Sequence, residues 1–184
     1  MIITEGLYRF KKVKSLKGLV LRPTSSKVRQ AIFNILIHKF NWEDWKANSC
    51  MLDAYAGTGI VSFEAISRGI SKVTLIEKNK KVFKLLVNNV NNFKLEGLVE
   101  TINYDFMKVN KFDYKYKLVY LDPPYHKGII NTAIEKIIDM NVLEKKSVLI
   151  CETEKNIKFE DNFTNYLIQT KTYGPLKLSF FSFI

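Results

Sequence analysis

Leu118-Val-Tyr-Leu-Asp-Pro-Pro-Tyr125 is the stretch that decides how this chain is read. Four apolar residues end abruptly in an acid, two prolines and an aromatic. The run is too short for a helix and predicts a strand buried on both faces. Pro123 and Pro124 lack a backbone N–H and have fixed φ, so the strand stops there and the next segment stays extended and rigid. An acid at the C-terminal end of a buried strand sits where open α/β sheets hold their ligands. Asp122 and the Pro123 carbonyl can accept hydrogen bonds from an exocyclic NH2, while Tyr125 stacks on the ring that carries it. Asp122, Pro123, Pro124 and Tyr125 are therefore the candidate catalytic residues. A stiff loop whose acid merely caps something is the alternative.

Outward from that strand, the chain alternates strands and helices from Cys50 onward. Met51 to Tyr55 is a short apolar run with an acid, and a helix follows from about Ile60 to Arg68, with Gly69 as its stop. Val73 to Ile76 is a strand closed by Glu77. The next helix places Val82, Leu86, Val90 and Phe93 on one face. Val99 to Ile102 is a strand followed by Asp105. Behind the prolines, Ile130, Ile134, Ile137 and Ile138 mark a helix, and Val148 to Cys151 is a strand followed by Glu152. Tyr166 to Tyr173, Gly174-Pro175 and Leu176 to Phe183 form a hairpin. Such alternation predicts an α/β fold: a mostly parallel twisted sheet with helices on both faces and a C-terminal antiparallel hairpin. Right-handed crossovers bring all the parallel strand ends to one edge. Asp53, Glu77, Asp105 and Asp122 converge there, and that convergence weighs more than any single motif.

The first of those strands leads into Ala56-Gly57-Thr58-Gly59. Two glycines allow a tight turn and a close approach of ligand to backbone. The third glycine of the dinucleotide fingerprint is missing, and Asp53 would repel a pyrophosphate but neutralise an ammonium, directly or through water. Glu77, 18 residues after Gly59, suits the ribose hydroxyls. A nucleoside with a cationic amino-acid tail, such as S-adenosylmethionine, fits better than NAD. Asp105 either accepts from the adenine amino group or simply makes a turn. The candidate cofactor set is Asp53, Tyr55, Ala56, Gly57, Thr58, Gly59, Glu77, Lys78, Asp105, Phe106 and Asp122.

The 184 residues, 47% hydrophobic, predict one domain. The net charge is +11, and eight Lys/Arg against one acid before residue 31 place +7 of it in the N-terminal part. Ile2 to Leu21 reads as a small basic hairpin or extended arm, and its charge suggests a polyanion. Arg9, Lys11, Lys12, Arg22 and Thr24, with Tyr125, are the candidate substrate contacts. Thr24, Ser25 and Ser26 are N-cap candidates for a helix carrying Val28, Ile32, Ile35, Leu36 and Phe40. Arg29 and Asn34 on that helix are expected at the surface, Trp42 and Trp45 in packing, and His126 in solvent. Cys50 and Cys151 read as buried free thiols, and no Cys/His cluster has metal spacing. No signal peptide or membrane-length apolar run is visible, so a cytoplasmic protein is the expectation, with a monomer as the default.

With these residues assembled, the chain resembles the Rossmann-like S-adenosylmethionine-dependent methyltransferases. More narrowly it is similar to the RsmD family, which methylates the exocyclic N2 of guanine 966 in bacterial 16S ribosomal RNA. The resemblance runs over nearly the whole chain. It rests on Gly6-Leu-Tyr-Arg-Phe-Lys-Lys12, Arg22-Pro-Thr-Ser-Ser-Lys-Val-Arg29, Phe33-Asn34, Leu52-Asp-Ala-Tyr-Ala-Gly-Thr-Gly59, Glu64-Ala-Ile-Ser-Arg-Gly69 and Asp122-Pro-Pro-Tyr125. The Arg-Pro-Thr block is the more specific part; the last block is shared with many amino-group methyltransferases. The resemblance implies that the cofactor contacts of Asp53, Gly57, Gly59, Glu77 and Asp105 and the amine contact of Asp122 carry over. It also implies ribosomal RNA or the small ribosomal subunit as partner. Phe10 stands where the family usually has glycine, which leaves the arm's backbone open, and Ser26 and Gln30 replace residues that are often acidic. Three rivals remain: a DNA amino-group methyltransferase, which the absence of a target-recognition domain disfavours; a non-catalytic RNA-binding module; and a dinucleotide oxidoreductase.

Overall fold

A computed structural model describes residues 1–15, 24–124 and 128–183. Arg22 and Tyr125, together with His126 and the second half of the basic segment, lie outside the described residues. One seven-stranded sheet organises the rest. Its strands are β1 (Cys50–Asp53), β2 (Lys72–Ile76), β3 (Val99–Ile102), β4 (Tyr116–Leu121), β5 (Leu143–Glu154), β6 (Leu167–Tyr173) and β7 (Leu176–Phe183). The spatial order is β3-β2-β1-β4-β5-β7-β6. The first five strands run parallel, and β7 inserts antiparallel between β5 and β6. The α/β reading and the closing hairpin are thus observed.

The helices are α1 (Ser26–Phe40), α2 (Trp42–Trp45), α3 (Ile60–Ser67), α4 (Lys80–Phe93), α5 (Ile129–Asp139) and α6 (Asp161–Thr164). Alternate strand residues feed opposite apolar layers. Met51, Leu118, Tyr120, Val148 and Ile150 join α1 to α4 on one face. Leu52, Val119, Leu121, Leu149 and Cys151 join α5 and Phe163 on the other. A parallel strand covered on both faces must be apolar at every position, which is why the short runs were visible in sequence. β5 starts before Val148, and its pairing with β7 runs from Ser147 to Glu154. Trp42 is buried and meets Phe33 edge-on, as a packing residue.

One expectation changes. Arg29 is 2% exposed, not a surface group. Its Nε lies 3.5 Å from Glu64, which is fully buried on α3. Its two terminal nitrogens donate to the carbonyls of Thr24 and Ile2, both at 2.6 Å. Of the two forms open to the basic segment, residues 1–15 take the hairpin, and it is docked on the core. Ile3 and Val13 are core residues, an Ile2–Lys12 bridge closes it, and Gly6 sits so tightly on Ser67 that a Cβ would lie 1.8 Å from its carbonyl oxygen. Glu64 is the post to which the hairpin is tied. It accepts from the Thr4 amide at 2.9 Å, the Thr4 hydroxyl at 2.6 Å and the Glu5 amide at 3.1 Å. At the hairpin's turn, Phe10 keeps the left-handed backbone natural to glycine, φ +67°. That conformation costs a side-chain-bearing residue about 1–2 kcal/mol.

Candidate functional site

The strand order reverses between β1 and β4, and open α/β sheets bind ligands in the crevice beyond such a reversal. A cleft of about 1540 Å³ opens there. Asp53 ends β1 and pairs in register with Tyr120 of β4, so Asp53 and Asp122 emerge side by side. Of the sequence-derived cofactor set, all but Gly59 line the cleft, together with Pro123, Pro124 and Thr24. The four acids at the strand ends therefore do meet.

Asp53 is 1% exposed. The Ser62 hydroxyl donates to its Oδ2 at 2.7 Å, while Oδ1 is buried without a hydrogen-bond partner. Burial pushes its carboxyl up to about 7; the Ser62 hydroxyl and the Tyr55 backbone oppose the shift. A buried acid in the lining of the cleft, with one oxygen unpaired, is suited to a cationic group. Glu77 lies across the glycine turn. Its Oε2 accepts from the Gly57 amide at 3.1 Å and its Oε1 from the Asn79 amide at 2.6 Å. Burial raises its carboxyl, and those amides restrain the rise. Asp105 makes the turn that the sequence allowed: Oδ1 accepts from the Met107 amide at 3.1 Å, and Oδ2 pairs with Lys78 at 2.8 Å. The Lys78 hydrogen bond holds Asp105 below the usual carboxylate range. Tyr55 packs edge-on against Phe106, and its buried hydroxyl has no partner.

The two glycines of the turn do different work. Gly57 has φ +55° and open space where a Cβ would stand. Gly59 has φ +81°, and a Cβ there would meet Leu86 at 2.7 Å and Phe63 at 2.9 Å. Gly57 thus presents backbone to the cleft, whereas Gly59 lets the turn pack on α4. Asn89, buried in α4, ties this turn to the hairpin: its Nδ2 donates to the Thr58 and Lys14 carbonyls, both at 3.1 Å, and its Oδ1 accepts from the Lys14 amide at 3.0 Å.

Asp122 is half-buried and Pro123 buried at the mouth of β4. Beneath them, the Tyr120 hydroxyl donates to buried Glu152 at 2.5 Å, and the Thr24 hydroxyl donates to the same carboxylate oxygen at 3.3 Å. Burial, then the Glu152 charge, raises the Tyr120 hydroxyl well above its usual range. Thr24 therefore lies in the cleft floor with its hydroxyl bonded internally. Arg9, Lys11 and Lys12 are exposed on the hairpin and outside the cleft lining. Sequence reasoning missed Glu64, Asn89, Tyr120 and Glu152. Each is polar within an otherwise apolar pattern, and that break in pattern was the available signal. Among the described residues no cluster suited to a metal ion is found, and no helix is long and apolar enough to cross a membrane.

A family model described as "Conserved hypothetical protein 95" matches residues 1–182. The chain is 33% identical over 178 residues to "Ribosomal RNA small subunit methyltransferase D" of Haemophilus influenzae, covering 94% of this chain and 88% of that protein. It is 28% identical to the protein of the same name in Escherichia coli, over 83% of this chain and 74% of the relative. Among solved structures, a putative methylase from Haemophilus influenzae has TM-score 0.78 at 29% identity, covering 98% and 97% of the two chains. An RNA methyltransferase from Salinibacter ruber, in complex with S-adenosyl-L-homocysteine, has TM-score 0.64 at 16% identity over 87% and 92%, a likeness of fold.

Proposed function

The chain belongs to the RsmD family, the family described as Conserved hypothetical protein 95, and from that premise we propose that it methylates the exocyclic N2 amino group of a guanine in small-subunit ribosomal RNA, guanine 966 in the family's numbering of the RNA. S-adenosylmethionine supplies a methyl group already activated on a sulfonium. The residues present fit that molecule: the orphaned Oδ1 of Asp53 for its ammonium, the bare Gly57 backbone beneath its tail, Glu77 for its ribose hydroxyls and Asp105 for its adenine amino group.

The guanine amino nitrogen is a poor nucleophile because its lone pair is delocalised into the ring. Asp122 and the Pro123 carbonyl hold its two N–H groups and aim the nitrogen at the methyl, so the protein's work is alignment in a site that excludes water. Tyr125, beyond the described residues, stacks on the base once it is unpaired. Arg9, Lys11, Lys12 and Arg22 hold RNA phosphates, which gives affinity and salt dependence but not sequence choice. Tyr120 and Glu152 stiffen the floor under Asp122. The observation that carries the reading is the meeting of Asp53 and Asp122 in one cleft at the strand-order reversal.

Radiolabelled S-adenosylmethionine, offered with small-subunit ribosomal RNA, assembled small subunits and DNA, tests the proposal. Label is expected in the RNA or the subunits, at a guanine N2 by mass mapping. Asp122→Ala is expected to abolish transfer while adenosylhomocysteine still binds. Label in DNA alone, or full turnover by Asp122→Ala, refutes it.

A further inference from the structure

We propose that the tip of the N-terminal hairpin, Leu7 to Phe10, is a stacking platform for an unpaired RNA base away from the reaction centre; this rests on the RNA-methyltransferase reading and adds a second contact to it. The two ends of the hairpin, Met1 and Ser15, line the cleft beside the start of α3. Its tip is bonded at the other end of that helix, the Leu7 amide donating to the Ser67 carbonyl at 2.7 Å. The eight residues of α3 span about 12 Å. The tip is therefore set back from the cleft by roughly one helix length.

Leu7 is 82% and Phe10 71% exposed, the two highest values among the described large hydrophobics, and both lie on one turn. Phe10 belongs to neither apolar cluster of the core. Packing does not hold the ring there, and the backbone at φ +67° would suit glycine better. The Arg9 guanidinium lies over the ring, 4.5 Å from its centroid. A phenyl ring and a guanidinium are the two flat surfaces on which proteins stack single-stranded bases. Lys11 and Lys12 flank them, exposed. The sole acid of residues 1–15, Glu5, is paired with Arg68 at 2.6 Å. The patch is thus both apolar and cationic, which matches an unpaired segment of a polyanion and disfavours self-association through like charges.

Filter binding of a single-stranded RNA of about 12 nucleotides, and of a duplex of equal length, provides the test. Phe10→Ala is expected to weaken single-strand binding by about 5- to 150-fold, the range for one lost stacking contact. Duplex binding and the salt slope should hardly change, because no charge is removed. Phe10→Trp should preserve affinity. Phe10→Gly should bind RNA as weakly as Phe10→Ala while melting no lower than wild type, which separates lost stacking from lost folding. Affinities within twofold across wild type, alanine and tryptophan overturn the proposal. So does sedimentation that finds a wild-type dimer dispersed by Phe10→Ala, since a second copy would then occupy the patch. Methyl transfer without a Phe10 effect removes this proposal alone; a Phe10 effect on RNA binding without methyl transfer removes the enzymatic reading alone.

Discussion

Glu64→Ala is the perturbation whose cost follows most directly from the structure. Glu64 is fully buried and meets two guanidinium groups, Arg29 at 3.5 Å and Arg68 at 3.1 Å. It also accepts from the amides of Thr4 and Glu5. Removing the carboxylate leaves Arg29, 2% exposed, without its counter-charge. Breaking a buried ion pair on one side costs about 3–5 kcal/mol. A domain's whole stability is about 5–15 kcal/mol, so about a fifth or more should vanish. With a urea slope of about 1–3 kcal/mol/M, the unfolding midpoint should fall by roughly 1 M or more. The loss should concentrate in the hairpin. Hydrogen exchange should find the Ile3, Phe10 and Val13 amides, which bond across it, unprotected before the β4 core opens. Glu64→Gln keeps an acceptor oxygen and should cost less. A loss below about 1 kcal/mol for Glu64→Ala, with those amides still protected, would refute the claim that one buried carboxylate docks the hairpin.

The remaining predictions concern the cleft. Asp53, whose carboxyl is pushed from its ordinary 3.8 up to about 7, binds more protons folded than unfolded between those values, so its contribution to stability is full below 3.8 and falls as pH rises towards 7. A ligand ammonium favours the ionised form, so calorimetry should find adenosylhomocysteine affinity rising between about pH 5.5 and 7.5, and Asp53→Asn should flatten that rise. Gly57→Ala and Gly59→Ala share the left-handed penalty of about 1–2 kcal/mol. Gly59→Ala adds a collision with Leu86 and Phe63 and should melt lower, whereas Gly57→Ala should fold better and lose more ligand affinity; the opposite order would show the two glycines have been assigned the wrong way round.

The hairpin and the glycine turn share one buried amide. Asn89 holds both the Lys14 backbone and the Thr58 carbonyl. In the proposed function this connects the segment that holds RNA to the loop beneath the methyl donor. A mutation at Asn89 therefore disturbs both at once and cannot report on either separately.

The sheet and the place of the cleft are legible in the residues alone. Strands covered on both faces must be apolar throughout, as Leu118 to Leu121 is, and acids follow where the strands leave the core. These signals are local, within a few residues. The sequence also placed Gly57 and Gly59 in a turn, because positive φ selects glycine. Which polar groups are buried is set by contacts between distant parts of the chain. Arg29 and Glu64 are 35 positions apart, and Thr24 and Glu152 are 128 apart. A lone arginine on an amphipathic helix reads as surface until its counter-charge is brought to it by the fold. The same holds for the basic segment: the sequence left hairpin and extended arm both open, and Ile3, Val13 and the Glu64 carboxylate draw it into the core as a hairpin. Charge in a sequence says what repels or attracts; whether water surrounds it depends on partners that only folding supplies.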